Sequence, residues 1–351
     1  MPTTTKPTAI FRSPVFLEHM KDVDHIESAS RLEVLYRELD KPEVNRAYVF
    51  PDFSPASQQL LELVHHPAYV RQVAATAGKA RVVLDPDTQT SPRSYEAASL
   101  AAGAAVAAAR ALAAGTIKNA FCLARPPGHH AEHDRAMGFC LFNNVAVAAS
   151  YCLNELGMQR VMIVDWDLHH GNGTQNSFYD TDQVLYFSTH QYPHYPGSGA
   201  SYEIGQGKGE GYTVNVPLPP GLEDRAYATV FNELLAPIAR QYKPEMIILS
   251  AGYDTHRDDP LGGMGVTGPG FSYMTKVLLD LAAELCANRF MACLEGGYSL
   301  HGLKEGVFAT LSEMRGHSLL SDKMTMELSA AAYPIAALAE TRMIAKRFWN
   351  L

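Results

Sequence analysis

The sequence has few cysteines, and they follow no regular pattern. Its 351 residues include five cysteines, and no two of them have CxxC spacing. An odd number without that spacing argues against a disulfide framework and against a cysteine-bound zinc site. We therefore expect reduced thiols in a cytoplasmic setting. The five are Cys122, Cys140, Cys152, Cys286 and Cys293.

Clusters of basic residues and long apolar runs are also absent. The net charge is −8 and no run of lysine and arginine occurs, so we expect no nucleic-acid partner. No stretch reaches about 18 uninterrupted apolar residues, and the N-terminal segment lacks the apolar core of a signal peptide, so we expect no membrane partner. The Ala-rich run at 97–114 contains Gly103 and Arg110 and is predicted to be a buried helix.

Apolar runs that alternate with helical stretches make up most of the chain. Runs such as VMIVDWD and MIILSAGYD are typical of parallel strands buried on both faces. The pattern predicts a single α/β domain over residues 1–351, with helices on both faces of one parallel sheet. Predicted strands are 120–125, 160–167, 184–190, 212–218, 246–253 and 289–295. Predicted helices are 94–114, 142–156, 223–242, 270–287 and a stretch after Tyr298.

Acidic residues and histidines follow the predicted strand ends, where such sheets bind ligands. In IVDWDLHHGNGTQ, Asp165, Asp167 and His169 alternate, so their side chains point the same way. Asp167 and His169 can then reach one cation, while Asp165 can orient a histidine. Two aspartates and two histidines within six residues are more than a strand-terminal turn requires, and this favours a metal site. Asp254 in SAGYDTHRDDPLGG can supply a third ligand, and an Asp–His–Asp set with an open position is typical of catalytic zinc.

Other residues near these segments remain open to two interpretations. His256, Asp258 and Asp259 compete with Asp254 as ligands, although each also fits a solvated loop. The adjacent pair His129 and His130, in RPPGHHAEHD, suits acid–base catalysis or a hydrogen-bonded structural role. Tyr298, in CLEGGYSL, either faces a pocket or lies in the core.

Five long segments together resemble the histone deacetylase and acetylpolyamine amidohydrolase superfamily, nearest its class II-like branch with bacterial deacylases. They occur in the family's order and span about residues 9–315, leaving a tail at 316–351. The segments are RPPGHHAEHDRAMGFCLFNN, VDWDLHHGNGTQ, GSGASYEIGQGKGEGYTVNVPLPPG, SAGYDTHRDDPLGG and LEGGYSL. The resemblance implies the arginase–deacetylase fold, with a sheet of about eight strands, and removal of acyl groups from lysine side chains by zinc-activated water.

The resemblance also implies roles for individual residues. It assigns one Zn²⁺ to Asp167, His169 and Asp254, and makes Tyr298 the oxyanion donor. It makes His129 and His130 the acid–base pair, with Asp165 and Asn172 behind them; an amide adds no charge, so His130 is predicted to be the less basic. Substrate-binding residues are Gly138, Phe139, Tyr195, Leu261, Gly297 and Asp87; the last is chosen over Asp85, and an aspartate that only forms a turn fits it nearly as well. A first K⁺ site uses Asp165, Asp167, His169, Ser188 and Thr189, and a second uses Phe178, Thr181, Val184 and Tyr212.

The sequence leaves the substrate open between acylated lysine in a protein or peptide and an acetylated polyamine. Polyamine-selective relatives can place a glutamate where this chain has Leu261, so the sequence favours lysine. The family's His-Pro-Glu pattern is replaced by His25-Ile26-Glu27, which leaves the shape of the rim uncertain. Alternatives are an arginase-like ureohydrolase or a binding module without catalysis. The tail and the oligomeric state cannot be predicted.

Overall fold

The computed structural model describes residues 6–351. The strands are β1 (Thr8–Phe11), β2 (Val82–Asp85), β3 (Thr88–Thr90), β4 (Asn119–Cys122), β5 (Val161–Asp165), β6 (Val184–Gln191), β7 (Thr213–Leu218), β8 (Met246–Ala251) and β9 (Phe290–Leu294). The helices are α1 (Ser30–Leu39), α2 (Pro42–Asn45), α3 (Gln58–Leu61), α4 (Pro67–Ala74), α5 (Ser94–Ala113), α6 (Asn144–Asn154), α7 (Asn172–Ser177), α8 (Asp224–Val230), α9 (Ala236–Tyr242), α10 (Gly268–Leu285), α11 (Leu300–Met314), α12 (Asp322–Ser329) and α13 (Ala336–Ala345).

A central parallel sheet organises the chain, in the order β1-β4-β9-β8-β5-β6-β7. Every residue of its four central strands, β9, β8, β5 and β4, is buried, as nearly continuous apolar sequence predicts. The predicted α/β class is confirmed. The sheet of the described residues has seven strands rather than about eight, and the hairpin β2–β3 stands apart from it.

Two predicted helices differ from the structure for local reasons. The predicted helix 223–242 is divided by a π-helical turn at Phe231–Leu235, directly before Pro237, which has no N–H to donate to the preceding turn. The helix predicted from 142 begins at Asn144, because the Asn143 side chain accepts a hydrogen bond from Ala146 N and caps it.

The alanine-rich helix α5 is a core helix. By length and composition it is the one helix of residues 6–351 that is apolar enough to cross a membrane, and 72% of its apolar window is buried inside the protein. The prediction of a buried helix for this run is therefore confirmed.

The C-terminal tail packs on the body of the domain. Thr341 Oγ1 in α13 donates to the carbonyl of Asn215 in β7 (2.9 Å), and Trp349 Nε1 donates to Gly211 O (3.0 Å). Asn232 Nδ2 donates to Leu328 O at the end of α12 (3.0 Å). These bonds place the tail against β7 and the helical segment that follows it.

Candidate active site

The carboxyl ends of β5, β8 and β9 bring the predicted metal ligands together. Asp165 pairs in register with Ser250 of β8, so the loops after both strands leave the sheet at the same height. Asp167 and His169 in one loop and Asp254 in the other are all buried, and their potential ligand atoms lie within 4.8 Å of one another.

Backbone amides hold the two carboxylates of this triad in place. Gly296 N donates to Asp167 Oδ2 and Leu168 N donates to Asp254 Oδ1, both at 2.8 Å. His169 Nδ1 lies 3.0 Å from Asp254 Oδ2 and 3.2 Å from Asp167 Oδ1. The orientation of all three side chains is therefore set before any ligand binds.

The charges of the triad are those of a cation site. Burial, with the neighbouring Asp167 carboxylate, raises the pKa of Asp254 to about 7. Burial lowers the pKa of His169, but hydrogen bonds from its ring to Asp167 and Asp254 outweigh this effect and raise it to about 10. Two buried carboxylates facing each other are costly without positive charge between them. An Asp–His–Asp set fits a divalent ion such as Zn²⁺ with a position left open.

The histidine pair lies beside the triad, with each ring tied to a different partner. His129 Nδ1 is 3.1 Å from Asp165 Oδ2, and His130 Nδ1 is 2.7 Å from Asn172 Oδ1. The two ring centroids are 4.1 Å apart, and His129 Nε2 lies 3.8 Å from Asp167 Oδ1. Both rings are buried, so their partners decide their protonation.

The two histidines have pKa values shifted in opposite directions. Burial lowers the pKa of His129, but the carboxylates of Asp167 and Asp165 outweigh it, and the pKa rises well above its ordinary value. For His130, burial and the nearby His129 and His169 lower the pKa well below its ordinary value. The order agrees with the expectation from the sequence that His130 is the less basic.

Tyr298 is held by its backbone and its ring. Its amide N donates to Asp259 Oδ2 (2.6 Å), and the guanidinium carbon of Arg31 lies 5.0 Å from its ring centroid. The ring of Phe139 contacts it edge-on at 6.1 Å. Asp259 therefore serves as a cap for the turn that carries Tyr298, which explains why it is not in the metal triad.

The predicted substrate-binding residues surround this cluster. Gly138 and Phe139 both have left-handed backbones, with φ of 57° and 67°. The ring of Tyr195 lies 5.2 Å from that of His130 and 6.1 Å from that of His169, and 38% of Tyr195 is exposed. The ring of Tyr195 thus stands beside the histidines, while the ring of Phe139 contacts Tyr298.

Three other residues of the predicted rim make mainly structural contacts. Asp87 Oδ1 accepts hydrogen bonds from Gly138 N (3.0 Å) and Thr88 Oγ1 (2.6 Å), so it fixes the Gly138–Phe139 turn. Leu261 is half-buried and its amide donates to Asp259 Oδ1 (3.0 Å). The carbonyl of Gly297 accepts from Arg31 Nε (2.6 Å).

The segment that departs from the family pattern lies at the rim. The ring of His25 contacts Phe139 edge-on at 4.8 Å. Behind it, Glu27 is fully buried between two arginines: Arg31 Nη1 donates to Glu27 Oε1 (2.9 Å) and Arg125 Nη2 to Glu27 Oε2 (2.7 Å). These ion pairs hold the loop in place.

Residues predicted for the first potassium site lie on neighbouring strands. Asp165 and Ser188 are partners in register across β5 and β6, and Thr189 follows. Thr189 Oγ1 is buried without a hydrogen-bond partner, which is a polar atom available to an ion. Ser188 Oγ lies 2.9 Å from His190 Nδ1.

Residues predicted for the second potassium site flank β6 and β7. Phe178 caps α7, Val184 begins β6 and Tyr212 directly precedes β7. The carbonyl of Phe178 accepts from Thr181 N (3.4 Å), and that of Tyr212 accepts from Tyr186 N (2.9 Å). Each carbonyl oxygen retains a second lone pair.

Sequence reasoning missed Glu295 and the pairing of Arg125 with Glu27. Glu295 Oε2 accepts from Gly128 N (2.7 Å) and His129 N (3.1 Å), so a carboxylate at the end of β9 holds the backbone of the histidine pair. Its position in LEGGY, directly after a buried strand, was a usable signal. Arg125 stands directly before the Pro-Pro of the histidine segment, and its partner lies about a hundred residues away, which no local pattern reveals.

His256 lies apart from the triad, on the side of α11. Its Nδ1 accepts from Asp258 N (3.1 Å), and its Nε2 is 3.4 Å from Glu305 Oε2. With His301 and Glu305 it forms a second group of possible ligands. Since Nδ1 accepts the hydrogen of the Asp258 amide, Nε2 is the ring atom that faces Glu305.

Comparison with known proteins places these residues in a family context. Residues 25–314 match the histone deacetylase domain. A probable deacetylase of Archaeoglobus fulgidus is 40% identical over 298 residues, covering 84% of this chain and 82% of that protein. Histone deacetylase 10, chloroplastic, of Oryza sativa subsp. japonica is 38% identical over 320 residues, covering 86% of this chain and 72% of that protein. The crystal structure of the HDA15 HD domain superposes with a TM-score of 0.89 at 36% identity, covering 98% of this chain and 95% of that one.

Proposed function

The chain belongs to the histone deacetylase family, and on that premise we propose that it is a zinc-dependent amidohydrolase that removes acyl groups from lysine side chains. One observation carries the proposal. The buried Asp167–His169–Asp254 triad, the differently charged histidine pair and the aromatic ring of Tyr298 stand together beyond the carboxyl ends of the strands. Hydrolysis of an unactivated amide needs an electrophile, a base and an oxyanion donor in one place.

The triad would hold the ion through its carboxylates and one imidazole. Zinc, when bound, polarises the acyl carbonyl and lowers the pKa of its water towards about 7. Its charge would also offset the two carboxylates that otherwise share a buried space. The unpartnered Thr189 Oγ1 supports the first of the two potassium sites, which Asp165, Ser188 and Thr189 would help to form.

The histidines divide the proton chemistry according to their surroundings. His130, kept neutral by burial and by neighbouring positive rings, can accept a proton from the attacking water. It then holds a proton that the departing lysine amine requires, since an amide anion is a very poor leaving group. His129, kept cationic by Asp165 and Asp167, supplies positive charge to the oxyanion. The phenol of Tyr298 donates a hydrogen bond to the same oxygen.

The rim favours lysine over a free polyamine. The ring of Phe139 and the ring of Tyr195 would flank the aliphatic stem of an acyl-lysine. At the position where a polyamine-selective protein would use a carboxylate to bind a distal ammonium, this chain offers the half-buried Leu261. The acetylpolyamine alternative lacks that partner.

Parallel turnover assays test the proposal. We expect a fluorogenic acetyl-lysine peptide to be hydrolysed and N-acetylputrescine to be hydrolysed much more slowly, by protein shown by metal analysis to hold one zinc. The His130→Ala variant is the matched control: it should retain zinc and lose activity. Failure to hydrolyse either substrate with zinc bound would contradict the function, and preference for acetylputrescine would contradict the substrate.

A further inference from the structure

A basic cavity opens at the end of the sheet opposite the catalytic cluster. It encloses about 660 Å³ beside the amino ends of β1, β4 and β9. Lys6, Lys118, Arg289 and Arg315 line it, together with His317. The catalytic cluster lies at the carboxyl ends of the strands, where open α/β sheets ordinarily bind ligands. This cavity lies at their amino ends and is therefore separate from the proposed active site.

The positive charges of the basic cavity are not matched by carboxylates. Within residues 6–351, no aspartate or glutamate lines it, although the whole chain has a net charge of −8. Nor does any of the four lining cations form an ion pair in the described chain. Lys118 Nζ reaches only the carbonyl of Met314 (3.4 Å), and Arg289 Nη1 that of Glu245 (3.2 Å). Arg315 stacks 5.3 Å from the centroid of the Tyr48 ring.

Helix ends account for only part of this charge. The helices α5, α10 and α11 end near the cavity, at Ala113, Leu285 and Met314. Each helix C-terminus carries about half a negative charge, so the three together offset about one and a half of the four cations. On the adjoining surface, Asp280 pairs with Lys276 (2.7 Å), while Glu313 accepts from Ser318 Oγ (2.5 Å) and offsets at most one further charge. A surplus of positive charge remains in a concave site.

Apolar side chains form the rest of the wall. Leu112 and Ile117 are buried in the protein and border the cavity, as does Pro7. The volume falls within the range of about 300–1,000 Å³ that is usual for small-molecule sites. Lysine and arginine together are the side chains that bind phosphate, arginine by its paired N–H groups and lysine as a point charge.

We propose that the basic cavity binds a small organic molecule carrying two or more phosphate groups. Its phosphates would lie among Lys118, Arg289 and Arg315, and its carbon skeleton against Leu112 and Ile117. Binding would tie together the starts of three strands whose other ends carry Arg125 and Glu295. This inference does not depend on the proposed deacylase activity.

Calorimetric titration of the chain 1–351 with adenosine 3′,5′-bisphosphate tests the inference. We expect one bound molecule per chain, and at least about a hundredfold weaker binding by the variant Lys118→Gln/Arg315→Gln, since each of the two lost charged hydrogen bonds costs about tenfold or more. The matched control is Arg71→Gln/Lys79→Gln, which removes the same charge from exposed side chains outside the cavity. It should bind as the original protein does.

Titration with inorganic pyrophosphate shows how much of the affinity comes from the phosphate charges alone. We expect it to bind more weakly than the bisphosphate, because it cannot contact the apolar wall. Absence of binding at millimolar bisphosphate would overturn the proposal, as would equal weakening by the control variant, which would indicate diffuse surface charge. Equal affinity for both probes would overturn the proposal that the carbon skeleton contacts the apolar wall. Unchanged deacylase activity and unfolding temperature of both variants would establish that they fold.

Discussion

Tyr298 combines a fixed backbone with a ring that contacts two side chains. Its amide is bonded to Asp259, and its ring lies between Arg31 and Phe139. Since these contacts do not involve the hydroxyl, removing that one atom should leave the structure intact. The hydroxyl is therefore the part of the residue available for chemistry.

We predict that Tyr298→Phe lowers kcat by about 10²–10³, the usual cost of one oxyanion donor. Zinc content and unfolding temperature should be unchanged, because the phenol ligates nothing in the triad. Tyr202→Phe, at a tyrosine that is 73% exposed, is the control and should keep full activity. Near-normal turnover by Tyr298→Phe would remove the residue from the mechanism.

Asp165 should control the charge of His129. We predict that Asp165→Asn lowers the pKa of His129, because one of the two carboxylates that outweigh its burial is lost. The histidine would then lose its proton at a lower pH, so the alkaline limb of the kcat profile should move down in pH. An unchanged alkaline limb would show that His129 does not act as a cation.

Single residues could be predicted from the sequence where their partners are close by. Asp167 and His169 alternate at one strand end, and the structure brings them together as that pattern requires. Glu27 and Arg125 could not be paired in this way, because the sequence separation between them is large and nothing in either segment names the other. The role of Asp259 as a cap also depends on a turn that only the folded chain brings near.

At the scale of elements, the turn at Gly138 sits against the catalytic histidine. Gly138 has φ of 57°, and a Cβ at this position would overlap the ring of His130. We predict that Gly138→Ala lowers kcat at least tenfold, because His130 must move to make room. Gly157→Ala shares the left-handed backbone (φ 68°) but meets nothing within 4 Å, so it should lose stability and keep its activity. Equal activity of the two variants would contradict the prediction.

The neutral side chain of His65 connects the loop after α3 with the start of α6 by hydrogen bonds. Its Nδ1 lies 2.8 Å from Glu132 O, and its Nε2 accepts from Asn143 N (2.9 Å). Burial lowers the pKa of His65 from 6.5 to about 4. Between pH 4 and pH 6.5 the histidine binds a proton in the unfolded chain but not in the folded chain. The contribution of neutral His65 to the free energy of unfolding is therefore present above pH 6.5 and is lost as the pH falls to about 4.

We predict that this one group accounts for about 3 kcal/mol of the stability lost between pH 7 and pH 4. Urea unfolding at both pH values should show a smaller loss for His65→Gln than for the original protein. An equal loss in His65→Gln would contradict the assignment.

The elements that could be predicted were those with continuous apolar sequence. β5 and β8 were evident because both of their faces are buried. The edge strand β1 has only four residues, and the hairpin β2–β3 packs outside the sheet with most of β2 half-exposed, so neither carries that signal. The π-helical turn before Pro237 could not be predicted, because the sequence does not show how the helix adjusts to the backbone hydrogen bond that proline cannot make.

At the scale of the whole molecule, Glu27 connects segments from three parts of the chain. Arg125, which follows β4, donates to the carboxylate and the backbone carbonyl of Glu27. Arg31 donates to the same carboxylate and to the carbonyls of Glu295 and Gly297. Burial raises the pKa of Glu27, but Arg125 and Arg31 outweigh it and lower the pKa to about 2. The carboxylate is therefore charged throughout the ordinary range of pH.

We predict that Glu27→Gln destabilises the protein by about 3–5 kcal/mol, because two buried guanidinium groups lose their counter-charge. Activity should fall as well, since Arg31 supports the ring of Tyr298. Glu43→Gln, at an exposed glutamate, should change the unfolding free energy very little. A change below 1 kcal/mol in Glu27→Gln would indicate that the arginines find other partners.

The way α13 lies along β7 bears on how copies of this protein stay apart. β7 ends the sheet on one side, and an uncovered end strand can recruit a strand from another molecule. Thr341 and Trp349 occupy carbonyls there, at Asn215 and Gly211. At the other end of the sheet, Val49 exchanges backbone hydrogen bonds with Thr8 and Ile10 of β1. The chain thus covers part of both borders of its own sheet, and we expect a shortened form ending at residue 314 to expose the border at β7 to other molecules.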